Sequence, residues 1–238
     1  KTVVTLESSF HGRTLATLTA TGQTKFHPEC FEPYPSGFKT IKANDFECLD
    51  SAFDDTTAAL FIECVQGEGG VNILDKEWVQ AAAAAARKAG AIVMVDEVQT
   101  GIGRTGTLLA SSTFEIDAEV VTLAKGIAGG VPMGVCLFKG KANKVFVAGD
   151  HQSTFAGNPL ACAAGCVVLD TVSDKKFLDE VVKKGEYIRN TIKSWEIPFV
   201  KEVRGKGLMI GIQLDSSVKP FDVEVECLNQ GLCTTVAG

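Results

Sequence analysis

Five short apolar runs punctuate the chain, TVVTL (2–6), AALFIE (58–63), AIVMVD (91–96), VVTLA (120–124) and VCLF (135–138). They are β-branched and show little polar alternation, the pattern of strands buried on both faces of a parallel sheet. Between the second and third the period changes to that of a helix. Asp75 can cap it, Glu77 falls in its first turn, the alanines of 81–86 propagate it, Arg87 and Lys88 suit its C-terminal end, and Gly90 stops it. Strand, helix and strand at this spacing predict right-handed βαβ crossovers. Further helices are predicted from Gly157-Asn158-Pro159 toward Asp170 and from Lys175 to Trp195. EVRGKGLMIGIQL (202–214) then reads as a strand pair or bent strand, with glycines at its turns. The pattern predicts an α/β fold: a large, mostly parallel-sheet domain over 1–170 and the start of a smaller α/β domain over 171–238.

Composition narrows the function classes. The 238 residues are 45% hydrophobic and 22% charged, the balance of a globular enzyme. A net charge of −6 with dispersed basic residues argues against nucleic acid or an anionic membrane as the main partner. No apolar run reaches the length of a membrane span, and the N-terminal residues do not read as a signal peptide. The eight cysteines contain no C-x-x-C and several sit in apolar runs. Buried free thiols in a reducing compartment are expected, in the cytoplasm or an organelle matrix. Cys162 and Cys166, four apart on a predicted helix, share a face by packing rather than as a metal site.

VDEVQTGIGRTG (95–106) follows the third strand and poses a choice. Gly101, Gly103 and Gly106 have the G-x-G-x-x-G spacing of a dinucleotide loop. That fingerprint needs its first glycine at the strand–helix turn and an acid ending the next strand. Here Asp96 to Thr100 separates strand from glycine, and Glu115 and Asp117 precede the next strand. A nicotinamide or flavin loop is therefore the weaker reading, though it stays open.

The strand ends carry more. Functional groups gather where the C-terminal ends of parallel strands meet a crevice. Asp96 lies at one such end and Lys125 just beyond another, before GIAGGVPMG (126–134). Singly they read as a turn acid and a solvated lysine. Together, an amine and a carboxylate in one crevice match pyridoxal 5'-phosphate chemistry. That cofactor needs a lysine for its aldehyde and a carboxylate to keep its ring nitrogen protonated.

SFHGRT (9–14), QGEGG (66–70), VDEVQTGIGRTG, LAKGIAGGVPMG (123–134) and HQSTFAGNPLAC (151–162) together resemble, in order and spacing, the class III or ornithine-type aminotransferases. The resemblance covers nearly the whole chain. It implies a fold type I transferase in which Lys125 is the Schiff-base lysine and proton shuttle and Asp96 the partner of the ring nitrogen. Gln99 would bond the ring's phenolic oxygen, Phe10 and Val98 would sandwich the ring, and Glu97 would join the cofactor-binding set. Thr154 would bind phosphate across a homodimer interface, beside Ser153. Arg13 would hold the substrate carboxylate, Glu68 would modulate which carboxylate an arginine binds, and Glu63 would stand behind these groups. The substrates implied are amino and 2-oxo acids: N-acetylornithine with 2-oxoglutarate, ahead of ornithine, succinylornithine and 4-aminobutyrate.

The residues also admit blander readings. Phe10 and Val98 suit a core, Arg13 a solvated loop, and Glu68 a glycine-rich turn. His11 and His151 read as structural and His27 as a surface residue. Cys64, Gln152 and Ala156 depart from the family's proline and two glycines, without removing a reacting group. The family's upstream phosphate-binding segment is expected before Lys1 and a substrate-binding arginine beyond Gly238. A non-catalytic structural or binding relative is the alternative of another class.

Overall fold

The computed structural model describes residues 1–238. A six-stranded sheet organises the chain: β1 (Thr2–Leu6), β2 (Phe38–Ile41), β3 (Thr57–Ile62), β6 (Ile92–Asp96), β7 (Val120–Leu123) and β8 (Val135–Phe138), in the order β2-β1-β3-β6-β7-β8. All neighbours run parallel except β7 and β8, which pair antiparallel with Val121 opposite Leu137. Every apolar run read as a strand is one. Edge strand β2 escaped the sequence reading because FKTI is short and half polar. VCLF corrects the expectation in another way: β8 is an antiparallel edge, largely exposed rather than buried.

The helix between β3 and β6 is α3 (Lys76–Lys88), and its termini follow the sequence signals. Asp75 Oδ1 accepts the Trp78 N–H at 3.0 Å, satisfying a donor that the helix itself leaves free. Ala82, Ala83 and Ala86 are buried against the sheet. Side chains that small let the helix axis approach closely, so the alanine run is a packing surface. Beneath it Val4, Leu6, Leu60, Ile62, Val93 and Val95 are fully enclosed. Trp78 is fully buried too, its indole N–H donating to the Asp45 carbonyl at 2.9 Å, so its polar atom is satisfied.

Smaller elements fill the connections: α1 (Leu15–Ala20), α2 (Leu49–Ala52) and the two-stranded β4 (Val65–Gln66) and β5 (Asn72–Ile73). Beyond the sheet come α4 (Pro159–Val172) and α5 (Lys175–Ser194), then the antiparallel hairpin β9 (Val200–Lys206) and β10 (Met209–Leu214), then α6 (Pro220–Asn229). Asn158 caps α4 through a 2.9 Å bond from the Ala161 N–H, with Pro159 in the first turn. Between α4 and the β7–β8 edge lies an apolar cavity of about 320 Å³, lined by Ile102, Leu123, Met133, Leu137, Cys162 and Cys166 among others. The two cysteines share a face, as their spacing predicts, and both are free thiols. No helix is long and apolar enough to cross a membrane.

The glycines of the G-x-G-x-x-G run serve packing. Gly103 and Gly106 have φ of +80° and +91°, in the region that favours glycine. A Cβ on Gly106 would come 2.4 Å from Val182 of α5, and one on Gly103 would meet Leu178 and Val172. Side chains of α4 and α5 pack directly against these two glycines.

Candidate active site

Four strands adjacent in the sheet, β1, β3, β6 and β7, run parallel and so bring their C-terminal ends to one edge. The segments leaving those ends hold Phe10 to Arg13, Glu63 to Glu68, Asp96 to Gln99, and Lys125. Residues up to 115 positions apart in sequence thus meet because the topology stacks their strand ends (125 − 10 = 115).

Asp96, the last residue of β6, is 6% exposed. Its Oδ1 accepts from the Val98 N–H at 3.0 Å and the Thr122 hydroxyl at 3.2 Å, and its Oδ2 lies 2.8 Å from His11 Nδ1. A carboxylate offers about four acceptor positions. Three are filled here, which leaves room for one incoming N–H donor. Sequence reasoning took His11 for a structural residue and missed this bond. The only signal lay in its place two residues before Arg13, within a motif that follows β1, which β3 separates from the Asp96 strand.

Glu63, just past β3, is also enclosed. It accepts the Phe10 N–H at 2.9 Å and the Gly67 N–H at 3.3 Å, tying the first and second motifs together. Burial pushes its carboxyl up to about 8, and the Asp96 charge adds to the rise against the pull of those N–H groups and Lys125.

Lys125 opens the turn after β7 with φ +49°, a left-handed conformation that costs a non-glycine residue energy. It is reachable from solvent, yet partial burial lowers the pKa of its amine, opposed by the nearby carboxylates of Glu68, Glu63 and Asp96. An amine whose pKa is lowered in a crevice that also carries carboxylates is suited to nucleophilic and proton-transfer work.

Gln99 Nε2 donates to Glu68 Oε1 at 3.0 Å, joining the β6 and β3 loops above the lysine. Gly67 makes this possible. A Cβ there would sit 2.1 Å from Gln99 Oε1, so any side chain at position 67 would expel the amide.

Arg13 is exposed, with its guanidinium 4.5 Å from the Phe26 ring centroid and 5.4 Å from that of Phe10. The aromatic rings hold the guanidinium itself, and its N–H groups point along the plane of the fork, where an anion can meet them. Phe10 is half-buried and Val98 likewise. Glu97 does not join the cluster. As the neighbour of Asp96 at a strand end it points the other way. Its buried carboxylate accepts the Ala110 and Ser111 N–H groups at 3.0 and 2.7 Å and the Thr100 hydroxyl. Its side chain braces the following loop. Ser153 and Thr154 lie in the exposed turn before α4, and their side chains bond none of these groups.

An aldehyde-bearing heteroaromatic cofactor fits this donor and acceptor set. Asp96 keeps one position for a ring N–H and Lys125 supplies the amine.

Comparison with known proteins agrees with this geometry. The family described as aminotransferase class-III matches residues 1–238. The acetylornithine aminotransferase of Haemophilus ducreyi is 44% identical over 97% of this chain and 58% of its own length. Among solved structures, an ornithine aminotransferase from Toxoplasma gondii, with PLP at partial occupancy in its active site, superposes with a TM-score of 0.91. It is 32% identical and covers 98% of this chain and 56% of its own. An N-acetylornithine aminotransferase from Stenotrophomonas maltophilia has a TM-score of 0.82 at 29% identity, covering all of this chain and 58% of its own. The chain therefore spans somewhat more than half the length of these relatives.

Proposed function

We propose, from the premise that this chain belongs to the class-III aminotransferase family, that the protein containing it is a pyridoxal-phosphate-dependent aminotransferase acting on N-acetylornithine and 2-oxoglutarate. The observation that carries the reading is the Lys125 amine placed within electrostatic reach of Glu68, Glu63 and Asp96 at the ends of three adjacent strands, β3, β6 and β7. Bound there, the cofactor would supply an electron sink that stabilises negative charge at the substrate carbon. The chain's own residues do the rest. Asp96, held by Val98, Thr122 and His11, offers a fixed acceptor to the ring N–H. Lys125 would hold the aldehyde and supply an amine able to take up or release a proton, which its lowered pKa favours. Phe10 and Val98 would flank the ring, and Gln99, bonded to Glu68, would face its phenolic oxygen. Arg13 takes the α-carboxylate in its planar fork.

N-acetylornithine ranks first because relatives at 44% and 42% identity are acetylornithine aminotransferases. Ornithine ranks behind it, supported by the Toxoplasma gondii structure at 32%. Two further parts of the reading are a homodimer in which Thr154, with Ser153 beside it, reaches the neighbouring subunit's phosphate, and residence in the cytoplasm. The exposed turn carrying Ser153 and Thr154 supports the first, and free cysteines support the second.

The test uses the full-length protein with added pyridoxal phosphate. A visible band from lysine-bound cofactor, borohydride labelling at Lys125, and turnover of N-acetylornithine above ornithine and 4-aminobutyrate are expected. Labelling at another lysine overturns the site, and a preference for 4-aminobutyrate overturns the substrate.

A further inference from the structure

The turn that carries Glu68 is held in a form its own residues resist. Val71 closes it with φ +57°, a left-handed conformation that a β-branched side chain adopts only under constraint. The N–H groups of Gly70 and Val71 both donate to the Gly67 carbonyl, at 3.0 and 3.2 Å. The constraint comes from the β9–β10 hairpin. Met209 of β10 joins Val65 and Val71 in a small buried cluster, and a Cβ on Gly211 would come 3.0 Å from the Val71 side chain. Arg204 of β9, 134 positions after Gly70, supplies the polar part: its Nε and Nη2 both donate to the Gly70 carbonyl, at 3.0 and 2.7 Å. Its Nη1 donates to Glu202 Oε2 at 2.8 Å and to Gln213 Oε1 at 2.7 Å, so the fork is fixed from its far side as well. An arginine that only tied the hairpin together would need Glu202 and Gln213 alone. Here two of its N–H groups cross to one carbonyl, two residues from Glu68. Glu68 in turn accepts from Gln99 at 3.0 Å, and of the carboxylates around the Lys125 amine (Glu68, Glu63 and Asp96) it acts on that amine most strongly.

We propose that Arg204 is a positioning residue for Glu68: its double grip on the Gly70 carbonyl locks the 67–71 turn in its strained form and so keeps the Glu68 carboxylate on Gln99. The role rests on the reading of this crevice as a cofactor site, and names the residue that sets the place of its acid. The Gly70 oxygen lies in the peptide plane that rotates with φ of Val71, so holding that oxygen holds the unfavourable angle directly. Packing of Val71 on Met209 covers the side chain and leaves that plane free to turn. Without Arg204, Val71 relaxes to negative φ and the turn carries Glu68 away from Gln99 and Lys125.

The experiment uses the full-length protein and two variants, Arg204→Met, which keeps the stem and loses every donor, and the milder Arg204→Lys, which keeps the charge and loses the fork. In cofactor-free protein, the pH dependence of acetic anhydride labelling at Lys125 is read by mass spectrometry. Loss of a nearby carboxylate disfavours the ammonium, so the labelling midpoint should move to lower pH in Arg204→Met, in the same direction as in Glu68→Gln, and less far in Arg204→Lys. With cofactor added, kcat/KM should fall roughly tenfold in Arg204→Met, the scale of a hydrogen bond made by a charged group. In a Glu68→Gln background the same change should cost less than about twofold, because the two residues then act as one unit. A wild-type midpoint in either folded arginine variant overturns the positioning role. So does a full tenfold loss in the Glu68→Gln background, which would make Arg204 a scaffold residue only. Absence of a lysine-bound cofactor band in the wild type would sink the cofactor reading, while the labelling midpoints would still decide whether Arg204 places Glu68.

Discussion

The two halves of the sheet contain similar apolar runs and meet opposite fates. The strands β1, β3 and β6 join α3 and the segments flanking it in a core of 19 buried residues, with Leu60, Ile62, Val93 and Val95 fully enclosed. At the other edge β8 is largely exposed, Leu137 at 48%, and the local buried cluster is only Leu123, Ile127 and Ala128. The apolar run is equally strong in both places. Burial depends on what lies over it: an alanine-faced helix packs flat on one half, and an open 320 Å³ cavity borders the other. A hydrophobic pattern specifies that a strand forms. It does not specify that the strand is covered.

Substitutions can break this contrast. Trp78→Ala, in the covered half, should cost about 3–5 kcal/mol by removing buried area and leaving a cavity. Leu137→Ala at the open edge should cost about 0.5 kcal/mol or less, as exposed positions do. Chemical denaturation of both variants checks this, and equal losses would mean that β8 is as well packed as β3.

The covered half also ends in a buried carboxyl, whose effect on stability depends on pH. Glu63 is raised from an ordinary 4.5 to about 8, so between these values the folded protein binds the extra proton. Stability therefore falls as pH rises through that window and is steady below it. Glu63→Gln should flatten the dependence between pH 4.5 and 8, read as melting temperature against pH. A slope unchanged from wild type would assign the window to another group.

A smaller effect than the loss of Trp78 concerns the helix caps, which are nearly alike in geometry: Asp75 to Trp78 at 3.0 Å and Asn158 to Ala161 at 2.9 Å. Asp75→Ala should cost ~1 kcal/mol of global stability. Asn158→Ala should cost less, because α4 is half uncovered and its first turn can fray without unfolding the sheet. Hydrogen exchange at the Ala161 and Trp78 amides separates the two cases.

Most of the architecture was legible because it is written locally. The limits of α3, the strand cores and the Asn158 cap follow from residues within a few positions of one another. So did Asp96 and Lys125, each marked by its place after an apolar run. The Asp96–His11 contact was not legible, since it joins side chains 85 positions apart and depends on β1 lying one strand from β6. The partners of Glu97 were not legible for the converse reason. Sitting beside Asp96 in sequence, it points away from it in space, and its partners at 110 and 111 are set by a later loop. What the glycines of the G-x-G-x-x-G run make room for was not legible either, because spacing alone does not distinguish a phosphate from Val182.

The 3.0 Å bond between Gln99 and Glu68 makes the two sides of the pocket answerable to each other. A group that draws the Gln99 amide away must loosen Glu68, and a cation that draws Glu68 away must loosen the amide. Free energy is a function of state, so the factor by which the first event eases the second equals the factor by which the second eases the first. One hydrogen bond is thus a reciprocal coupling. Its sign is positive and its size is bounded by the strength of that bond. It lets whatever fills one side of the crevice be felt on the other without any movement of the sheet beneath.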